Sequence, residues 1–192
     1  MRTTPSSPVG LHRVLDPAGA GEGVETVAGL LALDDRAMAD TIDAYQRGFT
    51  FLRDPRFVSV AAVQGHAVGA GFQLALSCDL RVLADDARFS MREPILGLVP
   101  DLTGTKPLVE LVGYSRALEI CATARYVEAD EAHQLGIATA VVPRAELDAA
   151  TSDLVEAVLA NNAGAVRETK ALLAEAGNRN LEEQRLAERE AQ

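Results

Sequence analysis

Several features that would place this chain in a specialised class of proteins are missing from its 192 residues. No apolar run approaches the length of a membrane-spanning helix. The opening segment, MRTTPSSPVGLHRV, has only a short apolar patch where a signal peptide would have an apolar segment. We therefore expect a cytoplasmic protein that does not use a membrane as a partner.

Cysteine and positive charge are also scarce. Cys78 and Cys121, the two cysteines, lie in apolar helical stretches, so free buried thiols are expected and a disulfide is the less favoured alternative. The 18 Lys and Arg against 28 Asp and Glu give a net charge of −10, which disfavours nucleic acid as a partner. No His, Cys and carboxylate cluster has metal-ligand spacing, so no metal site is predicted.

What the chain does contain is enough apolar sequence for one sizeable core. Hydrophobic residues make up 48% of it, which argues against disorder. Residues 1–26 are rich in Pro, Gly, Ser and Thr, and are predicted to be an irregular arm. An α/β core is expected over residues 27–143, and a helical oligomerisation region over residues 144–192.

The chain is organised around residues 60–90, which read VAAVQGHAVGAGFQLALSCDLRVLADDARFS. The β-branched run at residues 57–63 predicts a buried strand, and a turn at residues 64–66 follows. Gly69-Ala70-Gly71 then opens a helix, whose first amides lack intrahelical partners and could stabilise an oxygen that gains negative charge. On this turn alone, tight packing without a ligand is the favoured interpretation.

Helical periodicity and turn signals divide the rest of the chain. Asp34 and Asp35 are expected to cap a helix with one apolar face, at Met38, Ile42, Tyr45, Phe49 and Leu52. Strands are predicted at residues 80–84, 88–91 and 139–142. Helices are predicted at residues 27–33, 103–112 (ended by Gly113 in the left-handed helical conformation), 116–124, 129–135, 147–160, 166–176 and from Leu181 onward.

A longer motif extends the glycine turn. Glycine, alanine and acidic residues recur from residue 65 to 105 in the order of the enoyl-CoA hydratase/isomerase, or crotonase, family, and the chain resembles that family more loosely to about Pro143. The matching residues are Gly65, Ala67, Gly69, Gly71, Leu74, Ala75, Cys78, Asp79, Ala87, Phe89, Glu93, Gly97, Pro100, Gly104 and Thr105.

The resemblance implies a crotonase-like α/β fold of the Clp/crotonase superfamily, with a repeated ββα core and a C-terminal helical region that mediates trimer formation. It also implies an acyl-CoA substrate of fatty acid metabolism, with the thioester oxygen bound in an oxyanion hole at the Ala70 amide. CoA belongs to the substrate, so no cofactor is expected. The implied substrate-binding residues are Ala67, Val68, Gly69, Ala70 and Gly71.

Glu93 is the principal candidate for proton transfer. It is followed by the apolar residues Ile95, Leu96 and Val99, and a carboxylate among apolar groups has its charged form disfavoured. The resemblance places Glu93 at the family's second catalytic glutamate, although Arg92 stands where the family has proline. Without the resemblance, a surface glutamate paired to Arg92 or Arg88 is the alternative.

Gln73 stands where the hydratases of the family have their other glutamate. A glutamine amide can orient water but cannot accept a proton at neutral pH. Hydration needs an activated water and a delivered proton, whereas one base can isomerise a double bond. The pair of Gln73 and Glu93 therefore favours isomerase over hydratase activity. Packing of Gln73 against the turn remains the alternative.

Asp101 and two histidines complete the candidates. Asp101 lies at the spacing of an acid in the family's dienoyl-CoA isomerases, but it could equally cap the helix that begins near Thr103. His66, beside the glycine turn, would suit a serine hydrolase; no nucleophile context such as Gly-x-Ser-x-Gly is present, so packing or a backbone bond is expected. His133 is expected to be exposed.

Two family segments are not found in the sequence. The segment Ala-Gly-x-Asp-Leu, which supplies the other oxyanion amide in the family, has at most a degraded echo at residues 8–12, with His12 in place of the aspartate. A further C-terminal helix that covers the acyl chain is also not found. The chain is thus expected to be truncated at both ends, and a catalytically impaired acyl-CoA-binding or oligomer-forming remnant is the alternative to an enzyme.

Overall fold

The computed structural model describes Gly29 and residues 32–192. Its helices are α1 (Asp35–Thr50), α2 (Ala70–Ser77), α3 (Thr105–Val112), α4 (Tyr114–Thr123), α5 (Ala129–Gln134), α6 (Leu147–Leu159), α7 (Ala163–Ala176) and α8 (Leu181–Ala191), with short 3₁₀ turns at Phe51–Arg53, Glu93–Leu96 and Arg144–Glu146. Its strands are β1 (Val60–Val63), β2 (His66–Val68), β3 (Leu80–Ala84), β4 (Arg88–Ser90), β5 (Val127–Glu128) and β6 (Ala140–Val142).

The strands form two small sheets that repeat one pattern. β1 and β2 are followed by α2, and β3 and β4 repeat the strand pair. β3 lies parallel to β1 in one sheet, with Val60 opposite Leu80, and β4 lies parallel to β2 in the other, with Ala67 opposite Phe89. β6 then joins β3 in parallel, and β5 joins β4 antiparallel. The predicted repeated ββα core is confirmed.

The main core lies between α2 and the second sheet. Phe72 of α2 and Phe89 of β4 are fully buried, and their rings stack with centroids 4.4 Å apart. Alternate residues of β1 and β3 contribute to the same cluster because side chains point to opposite faces along a strand. This packing fixes the start of α2 against the end of β2, where the candidate site lies.

Helix α1 begins after the expected cap, but other residues cover only part of its expected apolar face. Asp34 caps it by accepting a hydrogen bond from the Ala37 amide at 2.8 Å. Leu52, just beyond the helix, is buried, whereas Tyr45 is 43% exposed and no residue of α1 is fully buried. In this chain the face therefore makes a peripheral contact, mainly with α2.

The C-terminal helices attach to the core at two places. Leu147, at the start of α6, is buried with Val60, Val82 and Ala84 of the first sheet. Lys170 of α7 forms an ion pair with Asp79 at 2.8 Å and also donates to backbone carbonyls of the core, those of Phe57 at 2.8 Å and Leu52 at 3.3 Å. The predicted domain boundaries at residues 26 and 143 stay a prediction.

Several boundaries differ from the predicted ones. The first strand begins at Val60, three residues later than expected, and the helix expected from residue 103 begins at Thr105. Gly113 ends α3 with φ +75° as expected, but its ψ of 163° is extended, so the predicted left-handed helical conformation is wrong. Of the helix predicted at residues 27–33, Gly29 is helical, whereas Ala32 and Leu33 form a turn and a bend. The predicted arm at residues 1–26 and the echo around His12 lie outside the described residues.

The cysteines agree with the sequence analysis. Cys78 is buried and Cys121 partly buried, and both are free thiols, so the disulfide alternative is wrong. Burial raises the pKa of Cys78 to about 11. Over the described part of the chain, no helix has both the length and the apolar content that crossing a membrane requires.

Candidate active site

The glycine turn leaves the start of α2 open. Gly69 adopts φ +54° and ψ −116°, a conformation that side chains disfavour, and its amide donates to the Ser90 carbonyl at 2.8 Å. No side chain caps the helix, and Ala70, its first residue, is exposed. The first amides of α2 and its positive dipole end are thus available to a negatively charged oxygen.

The predicted substrate-binding residues fall at this turn. Val68, Gly69 and Gly71 are half-buried around Ala70, as a site at the helix start requires. Ala67 is different, because its side chain belongs to the buried core and only its backbone can face a ligand. The assignment of these five residues to substrate binding stays a prediction.

Glu93 lies beside the same turn. It begins a 3₁₀ turn after β4, and a Cβ built on Gly69 would lie only 3.2 Å from Glu93 Oε1. Oε1 accepts a hydrogen bond from Gln73 Nε2 at 2.7 Å. Oε2 is buried and has no hydrogen-bond partner within residues 32–192. The fold therefore places a carboxylate with one hydrogen-bonded and one unpartnered oxygen, within the described residues, next to the uncapped start of α2.

The surface-pair alternative for Glu93 is wrong. Arg88 pairs with Glu128 at 2.9 Å, and Arg92 lies over the Tyr126 ring with its guanidinium 5.4 Å from the ring centroid. Within the described part of the chain, neither arginine forms an ion pair with Glu93.

The apolar residues after Glu93 do not enclose it. Ile95 is 60% exposed and Val99 is 72% exposed, and Leu96 is similarly open. The expectation that these side chains bury the carboxylate is wrong. The partial burial of Glu93 instead comes from the turn at Gly69 and from Gln73, whose side chain is fully inside the protein.

Gln73 connects Glu93 to the loop before α3. Its Oε1 accepts from the backbone amides of Leu102 at 2.9 Å and Gly104 at 3.2 Å. A Cβ on Gly104 would come within 2.6 Å of Gln73 Cγ, so this close approach requires glycine. Gln73 thus contacts the loop before α3 as well as Glu93, while its packing against the glycine turn stays a prediction.

Asp101 is close in sequence to this loop but does not cap α3. The N-cap residue of α3 is Gly104 and no side chain caps the helix, so the capping alternative is wrong. The Asp101 carbonyl instead accepts from Gln46 Nε2 at 2.6 Å, which ties the loop to α1. A role for the Asp101 carboxylate in proton transfer stays a prediction.

Thr103 is a feature of the site that sequence reasoning missed. It has φ +69°, which β-branched residues rarely adopt, and its buried Oγ1 has no hydrogen-bond partner among the described residues. Backbone strain of this kind clusters at functional sites. Only the neighbouring glycine at position 104 hinted at unusual backbone here, and nothing in the sequence pointed to Thr103 itself.

The remaining candidates lie outside the site. His66 is exposed, and its ring packs edge-on against Tyr126 at 5.6 Å, in agreement with the expected packing. His133 is exposed on α5, as expected. No group of three or more His, Cys, Asp or Glu residues suited to a metal is found where the chain is described.

Cys121 of α4 lies within electrostatic reach of Glu93. Burial is the main cause that raises the pKa of its thiol, and the negative charge of Glu93 raises it further. The thiol therefore stays protonated at neutral pH and packs against the core as a small apolar group.

Comparison with known proteins matches the enoyl-CoA hydratase/isomerase family model over residues 24–192. Short-chain-enoyl-CoA hydratase of Clostridium acetobutylicum is 37% identical over 111 residues, which cover 58% of this chain and 42% of the relative. The peroxisomal Delta(3,5)-Delta(2,4)-dienoyl-CoA isomerase of Arabidopsis thaliana is 35% identical over 133 residues, covering 69% and 48%. This chain thus spans about half of these relatives or less.

Solved structures show the same relation. A Thermobifida fusca YX protein crystallised in complex with acetoacetyl-CoA has a TM-score of 0.80 and 58% identity, covering 81% of this chain and 61% of that one. An enoyl-CoA hydratase/isomerase from Cupriavidus metallidurans CH34 has a TM-score of 0.83 and 29% identity, covering 88% and 64%. By the family match, the shared fold and the motif from Gly65 to Thr105, this chain belongs to the enoyl-CoA hydratase/isomerase family.

Proposed function

We propose that this chain is an acyl-CoA enzyme that isomerises a 3-enoyl-CoA to a 2-enoyl-CoA and hydrates 2-enoyl-CoA more slowly. The observation that carries the proposal is the position of Glu93, which keeps one buried oxygen without a partner in residues 32–192 beside the uncapped start of α2. A base and a site for a developing negative charge are thus next to each other.

The chemistry follows from this arrangement. The thioester oxygen would accept a hydrogen bond from the Ala70 amide, which stabilises the enolate together with the helix dipole. Glu93 would remove the proton from C2, the double bond would shift, and the same carboxyl would return the proton to C4. The atoms balance without water, and no cofactor is needed besides the CoA that the substrate carries.

Gln73 supports isomerisation over hydration. Hydration in this family relies on two carboxylates, and here the second position is an amide that cannot take up a proton. Loss of one general acid or base costs about two to four orders of magnitude in rate. Isomerisation uses the single carboxyl that remains and should suffer less.

The relatives support an acyl-CoA ligand without deciding the reaction. Among them are proteins named as hydratases and one named as an isomerase, and the Thermobifida fusca protein was crystallised with CoA and with acetoacetyl-CoA. Since CoA is an anion and the chain carries a net charge of −10, binding would depend on local amides and a few basic groups.

The second candidate function is acyl-CoA binding or oligomer formation without turnover. The described residues offer one candidate oxyanion donor, at the uncapped start of α2, and the family match by itself does not show turnover. With a single donor the rate would be lower by about two to three orders of magnitude, while binding would survive.

The test compares turnover of a 3-enoyl-CoA and a 2-enoyl-CoA at equal concentration by the purified protein. We expect isomerisation to be faster, and we expect Gln73→Glu to raise hydration relative to isomerisation. Faster hydration in the parent, or an unchanged ratio in Gln73→Glu, would contradict the isomerase assignment. Acyl-CoA binding without turnover of either substrate would favour the second candidate.

Two wider features belong to the same proposal. We propose a homotrimer, or a dimer of trimers, because apolar residues of the C-terminal helices remain exposed in the single chain. A reducing compartment such as the cytoplasm suits the two free thiols, since neither is paired in a disulfide.

A further inference from the structure

The side chain of Gln73 makes hydrogen bonds that its position in the sequence did not predict. Its amide oxygen accepts two hydrogen bonds, from Leu102 N at 2.9 Å and from Gly104 N at 3.2 Å. An amide oxygen has two acceptor positions, so none is left for a substrate or a water molecule. The Gln73 side chain is also fully buried.

The loop that Gln73 holds is strained. Thr103 lies between the two amides bonded to Gln73, and it has φ +69°. A non-glycine residue in such a region is strained and persists only where its surroundings hold it. The two bonds to Gln73, on either side of Thr103, are the contacts that hold this conformation.

The side-chain nitrogen of Gln73 bonds to one carboxylate oxygen of Glu93 and not to the other, so the two oxygens differ in their hydrogen bonding. Nε2 of Gln73 donates to Oε1 at 2.7 Å, while Oε2 is buried and without a partner in the described part of the chain. A neutral amide can do this because it carries a donor and an acceptor at once. A glutamate at this position would have acceptors only, and would place a second carboxylate against Oε1.

We propose that Gln73 is a positioning residue, which links the loop at residues 102–104, before α3, to Glu93. This link leaves Oε2 of Glu93 as the oxygen that carries the proton. The inference rests on the proposed function, because it names the oxygen of Glu93 that would react. It also explains Gly104, since any side chain there would collide with Gln73.

The experiment measures backbone amide hydrogen exchange together with isomerisation kinetics in Gln73→Glu and Gln73→Met. Gln73→Glu keeps an acceptor for the loop but loses the donor to Glu93. We expect Leu102 and Gly104 to stay as protected as in the parent, while kcat falls at least tenfold and KM changes less than twofold. Gln73→Met has nearly the same shape but no amide, so both amides should exchange at least tenfold faster.

The matched control is Ser77→Ala. Ser77 is buried one turn further along α2, and its hydroxyl donates to the backbone carbonyl of Gln73 at 3.0 Å. We expect this variant to change neither the exchange of Leu102 and Gly104 nor the kinetic constants, so that a general loosening of α2 is distinguished from loss of the Gln73 bonds.

Parental exchange rates at Leu102 and Gly104 in Gln73→Met would overturn the inference. If Gln73→Met does not fold, Gly104→Ala probes the same link from the loop side, where unchanged exchange at Leu102 would also overturn it. The Gln73 side-chain amide protons should lose protection in Glu93→Ala, and retained protection would contradict the bond to Glu93. These exchange results hold even if the parent turns over neither substrate, so failure of the proposed function is distinguishable.

Discussion

At Glu93 the partner of the carboxylate is a neutral amide, unlike that of the ion-paired Glu119 and Glu131. Glu119 and Glu131 both bind Arg125, and the hydrogen bonds from its guanidinium lower the pKa of each carboxyl below its usual range. A proton taken up at either would break an ion pair. Glu93 instead accepts its hydrogen bond from the neutral side-chain amide of Gln73.

Removal of the Glu93 carboxylate should abolish catalysis and leave the fold intact. Glu93→Gln keeps the shape of the side chain but cannot accept a proton, so we expect kcat to fall by about two to four orders of magnitude. Steady-state kinetics checks this, with circular dichroism to confirm folding.

The control for Glu93 is Glu110→Gln. Glu110 is exposed on α3, and its carboxylate pairs with Lys106 at 2.6 Å. This variant should retain parental activity. If Glu93→Gln keeps a tenth or more of the parent rate, Glu93 is not the principal base.

Among the elements, the start of α2 depends most on a single glycine. Alanine at Gly69 would have to adopt φ +54° and place its Cβ 3.2 Å from Glu93 Oε1. We expect Gly69→Ala to lower the free energy of unfolding by about 1–3 kcal/mol and to reduce activity through displacement of Glu93. Urea unfolding and kinetics measure both effects.

Gly177 provides the matched substitution for Gly69. It follows α7 with φ −70°, and a Cβ there would meet nothing within 4 Å. Gly177→Ala should leave stability unchanged or raise it by about 0.4–1 kcal/mol. Equal stability losses in the two alanine variants would refute a special role for the Gly69 conformation.

The attachment of helix α7 to the core should depend on Lys170. The Lys170 side chain is only 11% exposed, and its ammonium group binds Asp79 and two core carbonyls, so Lys170→Met removes several charge-assisted hydrogen bonds at once. We expect a loss of roughly 1.5–3 kcal/mol in the free energy of unfolding. Denaturant unfolding gives the value.

Lys106→Met is the comparison for Lys170. Lys106 pairs with Glu110 one helical turn away on the surface of α3. Such exposed pairs contribute about 0.3–0.5 kcal/mol. A similar small loss in Lys170→Met would show that α7 is held by other contacts.

The sequence predicted those elements whose signals are local. The β-branched run before Gln64 and the small residues at positions 69–71 predicted β1 and the start of α2, because strand periodicity and helix-start chemistry act over a few residues. The family register brought Glu93 to the same turn. The sequence pattern could not show that Ile95 and Val99 are exposed, because an apolar residue type does not reveal which other residues pack over it.

Contacts between distant residues escaped prediction for a different reason. Lys170 and Asp79 are 91 positions apart, and Gln73 and Leu102 are 29 apart, so no local period connects them. The positive φ of Thr103 is imposed by such contacts and opposes the intrinsic preference of a β-branched residue. Tertiary structure overrides local propensity at these positions.

At the scale of the whole molecule, apolar side chains remain exposed on the C-terminal helices. Leu181 is 87% exposed and Leu173 69% exposed, and neither α7 nor α8 has a fully buried residue. Surfaces of this kind mark protein interfaces. We expect light scattering to give three times the mass of the chain, or six times for a dimer of trimers. A well-folded monomer at micromolar concentration would contradict this.

The pairing of β3 with β6 has a consequence for synthesis on the ribosome. β3 is complete at Ala84, but the partner on its second side ends only at Val142, and the bond from the Arg81 amide to Thr139 spans 58 positions. Until that segment leaves the exit tunnel, β3 presents an unpaired backbone edge to other nascent chains. The folding of this protein during synthesis therefore ends late, and its aggregation-prone interval is the time in which residues 85–142 emerge from the ribosome.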